Sequence, residues 1–198
     1  MQTFLYDQLQ RNAADRGHVK VTFSDTPFYE GRISIFNSAC TTFYAPSDLS
    51  GVGGMCHEYI QATPNWRNEG PRNDCVFVIT NSDACRFAGM DVARVLCFFL
   101  FSFNGELYQC AVVHWFDQVG DRPDEATGMW TIRPSSTPHR QHNIAVIHID
   151  SIYRAAHLIP IYGTSPVPSV IPPNWSYDIF RMFYVNKFAD HHAFEIAF

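Results

Sequence analysis

Three groups of residues have types and spacings that could do chemistry. The first is in "VIHIDSIYRAAH" (146–157), where His148 and Asp150 lie two apart. On a strand that spacing puts both side chains on one face. His157 follows, and the terminal "FADHHAFEIAF" (188–198) adds His191 and His192. His148, Asp150, His157 and His191 together make a ligand set suited to zinc or iron. Adjacent histidines on a helix point about 100° apart, so at most one of the terminal pair joins a shared site. The plain counterpart is a set of hydrogen-bonded core histidines. No spacing is diagnostic, so the expectation is a chain without metal or cofactor, with these four as the candidates should one bind.

The second group would serve nucleophilic catalysis. Cys110 and His114 lie four apart on one predicted strand. That places their Cα atoms ~13 Å apart, too far for a direct hydrogen bond. The chain has no G-x-S-x-G elbow, no phosphate-binding glycine loop and no G-x-G-x-x-G. The expectation is that the chain is not an enzyme and that no residue is catalytic.

The third group is "HWFDQVGDRPDEATGMW" (114–130), which joins Trp115, Phe116 and Trp130 to Asp117, Asp121, Asp124 and Glu125. Aromatic faces beside carboxylates attract cations, methyl-lysine above all. Trp115, Phe116, Asp117, Asp121 and Trp130 are therefore the expected partner-binding residues. Cross-strand core packing of the two tryptophans stays open as the alternative.

The elements that must position these groups are mostly strands. Aromatic residues make up 15% of the 198 residues and charged ones only 17%, a composition suited to packed sheets. One domain is expected. "ARVLCFFLFSF" (93–103), Asn104-Gly105 and "ELYQCAVVHWF" (106–116) read as a β-hairpin, because Asn-Gly tolerates positive φ. Further strands are expected at 19–23, within 31–46, and at 75–80, 129–134, 144–150 and 158–163. Residues 4–13 suit a short helix, 46–54 a loop, and 57–66 a helical turn ended at Pro64. The fold class expected is mainly β. It is a small antiparallel barrel or curled sheet of roughly five to seven strands with long loops. An N-terminal arm or helix (1–17) precedes a barrel core (18–163). A proline-rich connector (164–176) leads to a C-terminal helix (177–198) with Ile179, Met182 and Phe183 on one face.

Net charge is −5, and no run of like charges breaks the balance. That opposes nonspecific nucleic-acid binding, which needs a basic surface. A local face of Arg67, Arg72, Arg86, Arg133, Arg140 and Arg154 is the rival possibility. The six cysteines include no C-x-x-C, and the closest two are ten residues apart, which argues against a structural zinc site. The first ten residues do not read as a secretory signal, and "VLCFFLF" (95–101) is too short to span a bilayer. The expectation is an intracellular protein with reduced thiols and no membrane partner.

Several phrases carry a family resemblance when taken together. They are "FYAPSDLSGVGGM" (43–55), "WRNEGPRNDCVFV" (66–78), "MDVARVLCFFLFSFNGELYQCAVVHWF" (90–116), "PDEATGMW" (123–130), "VIHIDSIYRAAHLIPIYG" (146–163) and "VNKFADHHAFEIAF" (185–198). The chain resembles, from about residue 4 to 198, the C-terminal region of Plavaka transposases. These belong to the Kyakuja-Dileera-Zisupton superfamily, abundant in mushroom-forming fungi. In that family the chemistry belongs to an upstream RNase H-like domain, which nothing here matches. The resemblance implies an accessory tail without strand-transfer activity. A looser likeness, over about residues 18–163, is to BAH-type (bromo-adjacent homology) β-barrels. It rests on "AVVHWF", "MWTIRP" and "VIHIDSIYRAA" and implies a chromatin or protein interaction module. The functional expectation is a non-catalytic, nuclear interaction domain of a DNA-transposase-like protein. Its partner would be a histone tail or another transposase subunit, with DNA binding as the alternative.

Overall fold

A computed structural model describes residues 1–15, 22–84, 86–164, 166–167, 171–172 and 175–197. Most of the expected strand at 19–23 and about half of the proline-rich connector fall outside them. Within that strand's span, Phe23 instead opens a 3-10 turn, Phe23–Asp25.

The organising unit is the expected hairpin. β6 (Met90–Phe103) and β7 (Glu106–Val119) pair with Phe103 opposite Glu106, which leaves Asn104 and Gly105 as a two-residue turn. Their φ values of 52° and 81° fit the mirror-image turn that matches strand twist. The register shifts between Val95 and Cys97, a bulge that bends the long hairpin. Asn73 Nδ2 donates to the Val95 and Leu96 carbonyls there, at 2.8 and 3.3 Å.

On either side of the bend the hairpin takes different partners. β5 (Cys75–Ile79) pairs with the first part of β6, and β1 (Ile33–Phe36) with the later part. β9 (Ile144–His148) and then β8 (Thr131–Pro134) pair along β7. β10 (Ile152–Ala155) adds to β5, while β12 (Phe183–Val185) and β11 (Leu158–Pro160) extend from β8. This nine-stranded sheet curls into a half-barrel. A second sheet of β2 (Ser38–Tyr44), β3 (Met55–Thr63) and β4 (Arg72–Asn73) folds against β10 and β6. With 43% strand and 16% helix the chain is mainly β and antiparallel.

β5 explains how the core divides. Val76 and Val78 point into one cluster with Ile60, Val95, Val113 and Ile152, while Cys75 and Phe77 point into another with Phe87, Phe116, Ile132 and Phe183. The period-2 alternation of a strand buried on both faces gives exactly two such cores. A third cluster forms where α1 (Gln2–Asp15) presents Phe4 and Leu5 to Phe99, Phe101 and Tyr108 at the hairpin end.

Two expectations are corrected. Residues 57–66 were expected to hold a helical turn, but 55–63 form β3, paired on both sides. The alternating burial of Cys56, Ile60 and Ala62 makes a strand the better way to hide them. The C-terminal segment is not one helix. It splits into α2 (Ser176–Ile179), strand β12 and α3 (His191–Ile196). Phe183 and Val185 are fully buried while Met182 is exposed, a period of 2 that seats β12 between β8 and β11. The sheet therefore continues past residue 163. Beyond β12, Phe188 and Phe194 lie exposed, whereas Ile196 of α3 is buried.

Candidate functional site: a carboxylate-lined cleft around Arg154

Three of the quoted phrases, distant in sequence, meet at one buried arginine. Arg154 on β10 has a side chain 3% exposed. Its Nη1 and Nη2 donate to the two carboxylate oxygens of Asp190, at 3.0 and 2.6 Å. Such a fork-to-fork pair is the strongest form of charged hydrogen bond. Asp190 also caps α3, accepting from the Ala193 N–H at 2.7 Å. Glu58 on β3 lies 3.6 Å from Arg154 Nε and accepts from the Ala155 N–H at 2.9 Å. The guanidinium sits 4.6 Å over the Phe43 ring.

His192 completes the cluster. Its ring stacks on Phe43 at 5.1 Å and 9°. Its Nδ1 is 3.2 Å from Arg154 Nη1, which can only donate. Nδ1 is therefore the acceptor, and Nε2 carries the proton that reaches the Tyr153 hydroxyl at 3.1 Å. Burial, helped by the Arg154 charge, pushes the His192 pKa down. His114 is also pushed down, mainly by burial, and its Nε2–H donates to the Ser135 carbonyl at 2.9 Å.

The sign of the pH dependence follows. A histidine kept neutral by the fold contributes fully above its unfolded pKa and loses that contribution as pH falls below it. Unfolding free energy should therefore decline from pH 7.5 to 5.5, through the ordinary histidine value of 6.5. Denaturation at the two pH values checks this, and His192→Asn, which keeps an acceptor for Arg154, should lose less. For Asp190, burial raises the pKa, but Arg154 and the Ala193 N–H outweigh it and hold the carboxyl low. Its contribution is lost only in stronger acid, as pH falls through that lowered value.

The cluster opens into a cleft of about 360 Å³. Asp48, Glu58 and Asp190 line it against the single guanidinium of Arg154, which leaves it net negative. The loop from Tyr44 to Met55 forms its wall. Val52 and Met55 exchange backbone hydrogen bonds at 3.2 and 3.1 Å across Gly53 and Gly54, whose φ values are 62° and 80°. A Cβ on Gly51 would come within 2.8 Å of the Met55 carbonyl and Cys56 Sγ. The glycines of "SGVGG" thus let the turn close over the cleft. Asp48 Oδ1 accepts from the Ser50 N–H at 2.9 Å, which lowers its pKa and keeps it ionised. Beside these acids the loop exposes apolar side chains: Leu49 is 98% and Val52 88% accessible, with Tyr44 and Met55 also exposed. The Cys56 thiol in the cleft is pushed up by burial and stays protonated at neutral pH.

The residues singled out by sequence go elsewhere. Trp115 packs on the Val95–Val113 cluster, whereas Phe116 and Trp130 belong to the Phe183 cluster, so the two tryptophans do not wall one cage. Trp130 stacks on Phe87 at 5.3 Å. The acids of that segment have local partners: Asp117 lies 3.8 Å from Arg133, Glu125 2.9 Å from Arg122, and Asp124 accepts from Thr127. Asp121 is exposed. His148 pairs with Asp150 at 3.2 Å, while His157 and His191 are exposed. Among the described residues no group of three or more His, Cys, Asp and Glu is placed to hold a metal ion. Cys110 is pushed up to about 12 by burial. Of the six arginines, Arg154 is buried, Arg72 forks onto Asp74 at 2.8 and 3.1 Å, and Arg133 faces Asp117. The Arg86 side chain lies outside the described residues.

Sequence reading missed Asp48, Glu58, Asp190 and the inward role of His192. One signal was present: a lone arginine in "SIYRAA", surrounded by apolar strand residues, must be buried with a carboxylate partner. No helix among the described residues is long and apolar enough to cross a membrane. No protein-family model, curated protein or solved structure matches the chain.

Proposed function

We propose that this chain is a non-catalytic interaction domain of a transposase-like protein that binds a basic segment of a protein partner. The observation that carries this reading is the Arg154 cleft, whose three carboxylates outnumber its one cation beside exposed Leu49 and Val52. Acidic groups beside apolar surface suit a lysine- or arginine-rich peptide, with charge guiding encounter and apolar contact adding affinity. A histone tail fits that description, and so does a basic stretch of another transposase subunit. The resemblance to the Plavaka C-terminal region supports an accessory role and a nuclear setting. Of the arginines that would have made a DNA-binding face, Arg72, Arg133 and Arg154 each face a carboxylate of the same chain.

Calorimetric titration with a lysine-rich histone-tail peptide tests the reading. Binding should weaken with rising salt, and Asp48→Asn should weaken it about threefold, the scale of one exposed charge pair. No binding, or an affinity unchanged in Asp48→Asn, overturns it. Salt-steep binding to duplex DNA in place of the peptide would favour the DNA-binding alternative.

A further inference from the structure

A second cleft, of about 290 Å³, lies between the loop joining β3 to β4 and the short helix α2. Its lining is of the opposite chemistry. Arg67, Arg72 and Arg94 share it with the rings of Trp66 and Tyr177. The loop is built tightly for this. Trp66 and Gly70 close it through a 2.7 Å backbone hydrogen bond, with Arg67 and Asn68 both at positive φ. That turn lays the Arg72 and Arg67 guanidinium groups 4.6 and 5.5 Å from the Trp66 ring. Two carboxylates also line the cleft, Asp74 and Glu69. Asp74 is engaged by the Arg72 fork and by the Gln61 N–H at 2.9 Å.

Arg94 is the informative residue. Its side chain is only 10% exposed, and its guanidinium lies 5.2 Å over the Tyr177 ring. Nη1 donates to Asp178 at 3.0 Å, but that carboxylate is 60% exposed. Arg94 Nε is buried and has no hydrogen-bond partner among the described residues. A buried guanidinium N–H left without an acceptor is costly, and such atoms are rare in folded proteins. The missing partner is an acceptor, and beside a cation the strongest acceptor is an oxyanion.

We propose that this cleft is an oxyanion site, in which Arg94 Nε and its neighbouring guanidinium groups take a carboxylate or phosphate group. It is independent of the Arg154 cleft, whose net charge is opposite. Asp178 stands in for the ligand on the one Arg94 nitrogen it reaches, so weakening that pair should favour the ligand.

The test follows the arginine Nε–H resonances of the full chain by NMR, at constant ionic strength. Inorganic phosphate and acetate are the two probes, and the response to each separates a phosphate from a carboxylate preference. The Arg94 Nε–H signal should move saturably with at least one of them. Asp178→Asn should tighten that binding about three- to fivefold, the strength of a half-exposed ion pair. Arg67→Ala, at an exposed position, should weaken it. An Arg94 signal that does not move, or moves only linearly with both probes, overturns the proposal. So does an affinity unchanged in both Asp178→Asn and Arg67→Ala.

Discussion

Asp190→Ala should lower the unfolding free energy by about 4 kcal/mol, most of it from leaving a buried guanidinium without its carboxylate. Arg154 is 3% exposed, and Asp190 accepts from two of its nitrogens. The same substitution removes the acceptor for the Ala193 N–H at the start of α3, which adds about 1 kcal/mol or less to that loss. Two companions separate the contributions. Asp190→Asn retains an oxygen for Ala193 but loses the charge, so it should still cost about 3 kcal/mol. Arg154→Met combined with Asp190→Ala should recover part of the loss, because no unpaired charge then stays buried. Urea denaturation of the four proteins provides the comparison. A loss below about 1 kcal/mol in Asp190→Ala, the scale of a surface pair, would mean that Glu58 alone satisfies Arg154.

Phe183→Ala should cost about 4 kcal/mol, the usual loss for deleting a buried phenylalanine ring. Phe183 is 0% exposed and meets Phe116 and Tyr177 edge-on or tilted, at 5.9 and 5.6 Å. Its neighbour Met182 is 39% exposed, so Met182→Ala should stay within about 0.5 kcal/mol. The contrast follows from strand geometry, in which adjacent residues face opposite sides. A helix over the same segment would have put both residues on one packed face. Similar losses in the two variants, measured by thermal or urea unfolding, would restore the helix and remove β12 from the sheet.

That contrast also shows why part of the fold was legible in the sequence and part was not. Asn104-Gly105 between two alternating runs carries its turn geometry in its own residue types, so the central hairpin and its turn were readable, though not its bulge or its outer three residues at each end. The segment from Ile179 to Val185 is rich in aromatics at spacings that fit either period. Its state is decided by the edges of β8 and β11, which no local pattern records. The same holds for 57–66, where β2 and β4 supply the pairing that makes a strand. The site was harder still. Arg154, Asp190, Glu58 and Asp48 are spread over more than a hundred residues, and only the curl of the two sheets brings them to the lining of one cleft. Trp115 and Trp130 looked like a cage because they are close in sequence. Trp115 on β7 packs into one core, and Trp130, just before β8, packs into the other.

The most direct measurement is an amide chemical-shift map of the full chain titrated with a lysine-rich histone-tail peptide at low salt. Saturable shifts should concentrate on the loop from Asp48 to Glu58 and around Arg154 and Asp190, and should fade as salt is raised. Shifts confined to residues 114–130 or to the region of Arg72, Arg133 and Arg140, or no shifts at all, would contradict binding at the Arg154 cleft.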